Sequence, residues 1–291
     1  MNIDELRELS IENLTLLGKG TLGEVYALDD SKVVKVFKEG YDSEKIEDEY
    51  KRTLNAYEHK IPCPKVYEMV RVNGGLGIVM ERLNAATMMD PVRLAAGEKD
   101  YDKLDFLMDE FVIRAKRIHD IKTHDRDFPN MRDHYIEITE DVLSKKLSKE
   151  GLDRIKELLQ MIPDRDSFLH GDLNFSNVIY TGEQDDFRLI DVAAASAGDP
   201  ILDINILPAL HYLGQFNKLV YEVFNMDADT LYYVCEGVCR RYYKDLDPER
   251  YEKVRKLYYN SGALRLLIKL YEDGMLEAMP CQLVEKISEF I

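Results

Sequence analysis

The hydrophobic pattern changes period near Leu83, and that change limits the folds open to this chain. Before it, residues 13–38, "NLTLLGKGTLGEVYALDDSKVVKVFK", alternate apolar and polar side chains around a tight "DDS" turn at 29–31, the two-residue period of half-buried strands. Residues 42–59 are charged and read as a helix, stopped by prolines at 62 and 64. "KVYEMVRVNGGLGIVMERL" then reads as two strands about the "NGG" turn at 73–75. Beyond Leu83 the spacing becomes helical: Leu104, Leu107, Met108, Phe111, Val112, Ala115 and Ile118 share one face of a helix over 101–122. Further helices are expected at 133–147, 151–161, 201–213, 216–224, 228–243, 248–272 and 281–290, interrupted by turns and short strands over 168–191. The expectation is an α+β fold in two lobes. Residues 1–82 form a small antiparallel β lobe with one helix, and residues 83–291 a larger helical lobe.

Composition narrows the function classes. The 291 residues carry a net charge of −16, which disfavours nucleic acid, whose binding rests on neutralised phosphates. A cationic substrate is compatible, but the excess is not focused: residues 1–82 carry −4 and residues 83–291 carry −12, so it argues for solubility more than steering. No apolar run approaches the ~18 residues of a membrane helix, and "MNIDELRELSIENL" lacks the apolar stretch of a signal peptide. Four cysteines in a chain this long make no disulfide framework, so a cytoplasmic, reducing setting fits. Cys235 and Cys239 read as core thiols, since no nearby His or second Cys pair completes a zinc site.

Three segments carry residue types suited to phosphate chemistry. "GKGTLGEVY" places Gly18, Gly20 and Gly23 at G-x-G-x-x-G spacing, followed by strand-like "EVYAL" rather than a helix. A glycine hairpin of that kind lets backbone N–H groups approach phosphates, although an ordinary hairpin also uses glycine for positive φ. In "SKVVKVFK", Val33 and Lys35 share a strand face beneath that hairpin. Glu49 could pair with Lys35, as could Asp48, Glu47 or Glu44. In "FLHGDLNFSNVIY", Asp172 can accept a proton from a hydroxyl, and Asn177 offers an oxygen to a hard cation such as Mg²⁺. Asp191 follows an apolar strand in "FRLIDVAAAS" and supplies a second oxygen. Four specified residues in H-G-D-x(4)-N, at roughly 5% usage each, should meet by chance about once in several hundred chains.

Together, "GKGTLGEVY", "VVKVFK", "IPDRDSFLHGDLNFSNVIY" and "LIDVAAASAGDPILDI" resemble, in order from about residue 14 to 205, the aminoglycoside phosphotransferase and choline kinase branch of the protein-kinase-like fold. The resemblance implies ATP (GTP is also open) and Mg²⁺. It sets the loop at 18–23 over the phosphates, with Lys35 on the α- and β-phosphates and Glu49 holding it. The backbones of Glu81 and Leu83 would face adenine beside Val33, Asp172 would be the catalytic carboxylate, and Asn177 and Asp191 would hold the metal. The loop lacks the Arg of regulated protein kinases, Asp191 is followed by Val-Ala, and no A-P-E segment follows "GDP". These departures favour a small-molecule kinase, with an amino-sugar hydroxyl first among acceptors and choline, homoserine or a sugar next. A nucleotide-binding pseudokinase scaffold is the rival of another class. Asn174 and Phe175 stand where this branch often has His and Pro. Asp199, Asp203 and His119 are expected to brace or pack, and the tyrosine pairs (232/233, 242/243, 258/259) to pack rather than to form one cage for a quaternary amine.

Overall fold

A computed structural model describes residues 5–20, 22–83, 86–123, 127–180 and 186–291. Thr21 of the glycine loop lies outside them. The first elements are β1 (Thr15–Lys19), β2 (Gly23–Ala27), β3 (Lys32–Phe37), α1 (Ser43–Glu58), β4 (Val66–Val72) and β5 (Gly75–Glu81). Their strands form one antiparallel sheet in the order β1-β2-β3-β5-β4. Between β4 and β5 the chain turns through Asn73 and Gly74 at φ 49° and 82°, the pair of positive φ values a two-residue hairpin demands.

Alternation along the strands gives this sheet two cores. Phe37, Ile46, Val66, Met69 and Ile78 pack together on the face that α1 covers. Val34, Val70, Val72 and Val79 pack on the other, covered by Leu9, Ile11 and Leu14 of the preceding segment. Lys35 lies two residues before Phe37 and so faces α1. That helix starts at Asp42, whose carboxylate accepts from the Glu44 N–H. It buries Ile46, Glu49, Thr53 and Ala56 along one stripe. A carboxylate therefore occupies a position in the stripe that packing would give to an apolar residue.

The remaining elements are α2 (Met89–Glu98), α3 (Tyr101–His119), α4 (Met131–Asp141), α5 (Lys149–Met161), β6 (Ser167–Leu169), β7 (Val178–Tyr180), β8 (Phe187–Leu189), β9 (Ser196–Gly198), α6 (Ile201–Ile204), α7 (Ile206–Phe216), α8 (Leu219–Phe224), α9 (Ala228–Tyr242), α10 (Pro248–Glu272) and α11 (Cys281–Ser288). β6 pairs with β9 and β7 with β8. Packing divides the chain into two compact units, residues 1–86 with 179–195 and residues 87–178 with 196–291. Segment 187–195 is fastened within the first unit. The Leu189 N–H donates to Pro62 O at 2.6 Å, and Arg52 donates to Ala193 O at 3.2 Å. No helix among the described residues is long and apolar enough to cross a membrane.

Two helical expectations change. The helix expected over 201–213 breaks at Asn205 into α6 and α7. Pro208 has no N–H to donate, and its ring would clash with the carbonyl four residues back, so it is accommodated in the first turn of a new helix. Helix α2 is not among the expected helices; its Pro91 lies in the first turn, where a missing N–H leaves nothing unpaired.

Candidate active site

Within the first unit, the glycine hairpin joins β1 to β2. Gly20 N–H donates to Gly23 O at 2.8 Å. None of Gly18, Gly20 and Gly23 has a positive φ, so backbone conformation is not what requires them. Gly23 is required by packing: a Cβ there would lie 2.1 Å from Val36 O on β3. At Gly18 a Cβ would meet nothing within 4 Å, and at Gly20 only Gly23 O at 3.7 Å. Those two positions are small without any neighbour among the described residues demanding it.

Across from Val25, on the α1 face of β3, Lys35 Nζ donates to Glu49 Oε1 at 2.6 Å and to Asp191 Oδ1 at 2.9 Å. Of the four carboxylates that could have met Lys35 from α1, Glu49 does so because it alone lies on the buried stripe. Burial works against the Lys35 charge, yet the carboxylates of Asp191 and Glu49 outweigh it and raise the ammonium above its ordinary value. Burial pushes the Glu49 carboxyl up, against the pull of Lys35. Although Asp191 follows an apolar strand, its side chain is 60% exposed. Its backbone is left-handed at φ 60°, a conformation rare outside glycine and one that marks functional sites. Val33 is buried on β3 between Ala27 and Met80. Glu81 closes β5 with its N–H on Lys65 O at 2.8 Å, and half-buried Leu83 follows.

Within the second unit the H-G-D-x(4)-N segment forms one hydrogen-bonded loop. Asn177 Nδ2 donates to the Asp172 backbone oxygen at 2.8 Å and to its Oδ2 at 3.2 Å. The amide nitrogen being committed there, Oδ1 is the atom of Asn177 suited to a cation. Asn174 fills the position of the family's His by caps of its own: Oδ1 accepts from Ser176 N–H at 2.9 Å, and Nδ2 donates to Asp172 O at 3.1 Å. Burial raises the Asp172 carboxyl above its ordinary value, against the charges of Arg265, His170 and Lys269 and the Asn177 hydrogen bond. Gly171 is left-handed at φ 84°, so the middle residue of His-Gly-Asp is glycine for conformational reasons.

The loop is braced from three helices. Asp203 accepts the His170 and Gly171 N–H groups, each at 2.8 Å, and pairs with His119 Nε2 at 3.0 Å. Burial alone would raise the Asp203 carboxyl; the His119 hydrogen bond and charge, with His170, bring it below its ordinary value. His119 Nδ1 meets Tyr242 OH at 2.8 Å, so this residue braces as well as packs. Asp199 serves elsewhere, capping Ile201 N–H and pairing with Arg165 at 2.9 Å each. On α10, Arg265 Nη2 donates to Gly171 O at 2.6 Å. Sequence reasoning missed that residue, although an arginine inside "GALRLLIKL" is a visible signal of a buried charge. The tyrosine pairs do not converge: Tyr233 bonds Asp105, Tyr242 meets His119, Tyr258 bonds Cys235 O, and Tyr232 stacks on Tyr259.

The structure thus brings Lys35, Glu49 and Asp191 together in one unit and Asp172 and Asn177 together in the other. The fold matches solved kinase-like structures. APH(2")-IIa in its gentamicin complex aligns at TM-score 0.56 and 18% identity, covering 94% of each chain. The ADP-bound aminoglycoside phosphotransferase APH(2'')-Ib aligns at TM-score 0.56 and 20% identity, covering 95% of this chain and 91% of its own. An ethanolamine kinase of Plasmodium vivax aligns at TM-score 0.56 and 15% identity, covering 90% of this chain and 76% of its own. No curated protein matches the sequence. Residues 13–225 match the phosphotransferase enzyme family, abbreviated APH. With the protein-kinase-like fold and that match over most of its length, the chain belongs to the phosphotransferase enzyme family.

Proposed function

We propose that this protein is a small-molecule kinase that moves the γ-phosphoryl group of ATP to a substrate hydroxyl. The observation that carries the reading is the Lys35 ammonium, held between Glu49 and Asp191 on β3, the strand paired to the glycine hairpin's second strand. A buried lysine fixed by a helix carboxylate keeps its charge and its direction, which is what contact with the α- and β-phosphates requires. Small residues at Gly18 and Gly20, which no neighbour among the described residues demands, support a hairpin that lies against phosphates. The backbones of Glu81 and Leu83, with Val33, take adenine, and because backbone groups select the base, GTP is also a candidate donor.

Asp172 orients the acceptor hydroxyl and takes its proton as that oxygen bonds to the γ-phosphorus and ADP leaves. The donors of Asn177 and Asp191 are hard oxygens and fit magnesium, which characteristically takes one or two protein ligands beside phosphate. When bound, that ion neutralises phosphate charge. Asn177 also fixes Asp172 through its two hydrogen bonds. The family, with gentamicin bound to one structural neighbour, supports amino-sugars as the first acceptors to consider, and the ethanolamine kinase neighbour supports ethanolamine- or choline-like amino alcohols as the second.

The test is an acceptor panel of aminoglycosides, amino alcohols and homoserine with Mg-ATP or Mg-GTP, read by nucleoside diphosphate release and by the mass of the acceptor. At least one acceptor should gain a phosphoryl group, and EDTA should abolish the gain. Transfer that persists in EDTA, or nucleotide that never binds, contradicts the reading.

A further inference from the structure

We propose that Arg265 is a positioning residue for phosphoryl transfer: its buried guanidinium fixes the Gly171 peptide and thereby the place of the Asp172 carboxylate. The inference rests on the phosphotransferase reading above.

Arg265 is 4% exposed and flanked by the buried Leu264, Leu266 and Leu267 of α10. A guanidinium is rarely retained there unless its donors find partners. The carboxylate nearest to it, Glu272 Oε2, stands at 3.7 Å, farther than a hydrogen bond, and Glu272 is itself engaged by His134 at 3.3 Å. The close contacts are neutral: Gly171 O at 2.6 Å and, from α4, Tyr135 OH at 3.2 Å. Among the described residues Nε has no partner. The group is therefore poorly explained as half of an ion pair and well explained as the donor to one loop carbonyl.

That carbonyl matters because of where it lies. Gly171, at φ 84°, has the freest backbone of any residue type. Its N–H is held by Asp203 and its carbonyl by Arg265, so the peptide on each side of it is fixed by a charged side chain. The second of those peptides leads directly into Asp172. With Arg265 removed, Asp203 still holds the His170 and Gly171 N–H groups, and the 171–172 peptide keeps only the bond from Asp172 N–H to His170 Nδ1 at 3.2 Å; that peptide gains freedom to rotate, and the Asp172 carboxylate shifts against its bond from Asn177. A displacement of about 1 Å at a reacting group costs on the order of 10²-fold in rate.

The experiment compares the parent with Arg265→Met and Arg265→Lys in full-length protein. Three readouts are taken: hydrogen exchange of the 168–174 segment, Mg-ATP affinity, and transfer to the acceptor the parent uses best. Arg265→Met should exchange faster in that segment while the five-stranded sheet exchanges as before. It should bind Mg-ATP within about twofold of the parent and transfer about 10²-fold more slowly. Arg265→Lys should fall between the two. Free guanidinium ion should restore part of the transfer in Arg265→Met and slow the exchange of its 168–174 segment together, and the unchanged Mg-ATP affinity and sheet exchange are what a merely structural role would not give. Unchanged exchange overturns the proposal, as does faster exchange with unchanged transfer. So does failure of both variants to fold, which would make Arg265 a packing residue. A parent that transfers to no acceptor overturns the kinase reading and the catalytic part of this proposal, whereas the exchange comparison separately decides whether Arg265 holds the loop.

Discussion

Asp172 and Lys35 show how single residues are set against their surroundings. Asp172 sits where burial favours the protonated carboxyl, and the charges of Arg265, His170 and Lys269 oppose that. Lys35 sits where burial favours the neutral amine, and two carboxylates oppose it more strongly. Lys35→Ala removes the ammonium and leaves Glu49 in the α1 stripe without its partner. The carboxyl of Glu49, already pushed up by burial, can take a proton, so the cost to stability should be about 1–3 kcal/mol, that of a buried polar group left unsatisfied. The fold should survive that loss. Mg-ATP affinity, read by titration calorimetry, should weaken at least tenfold, or turnover should fall by as much. Unchanged affinity together with unchanged turnover would remove Lys35 from the site.

At the scale of elements, the sequence was most readable where pattern and packing agree. β1 to β5 follow from alternation and turn residues, and α10 has the bounds expected for it, 248–272. Helix bounds were least legible at prolines, because a proline breaks a helix from its interior but fits its first turn, where Pro91 and Pro208 both lie. The site was legible as residue types at fixed spacing within "FLHGDLNFSN", where Asp172 and Asn177 are near neighbours in sequence. Of its support, Asp203 was expected only through the family resemblance and Arg265 not at all, because they reach the loop across 32 and 94 residues, and nothing local encodes such pairings. Asp203 gives the bracing a pH dependence. Its carboxyl lies below its ordinary value. Its stabilising contribution is therefore complete above the unfolded value of about 3.9 and is lost as pH falls through the lower folded value. Asp203→Asn breaks a buried hydrogen-bonded pair and should cost about 3–5 kcal/mol at neutral pH. Denaturant titrations should then show a smaller loss of stability below about pH 4 in the variant than in the parent. Parallel curves in that range would mean that Asp203 does not carry the acid response.

For the molecule as a whole, family and reaction rest on different spans of residues. Membership in the phosphotransferase enzyme family is carried by residues 13–225; the reaction proposed for it depends on Asp172. The direct measurement pairs two quantities on the parent and on Asp172→Asn: phosphoryl transfer to a responsive acceptor, and Mg-ATP affinity with melting temperature. Asparagine keeps the side chain's shape and an acceptor for Asn177, so folding and nucleotide affinity should stay close to the parent. Transfer should fall by about 10²–10⁴, the loss of a positioned general base, or roughly 3–5.5 kcal/mol of barrier. A variant that folds, binds Mg-ATP and still transfers at more than about a tenth of the parental rate, well inside that 10²-fold minimum, would contradict the central claim.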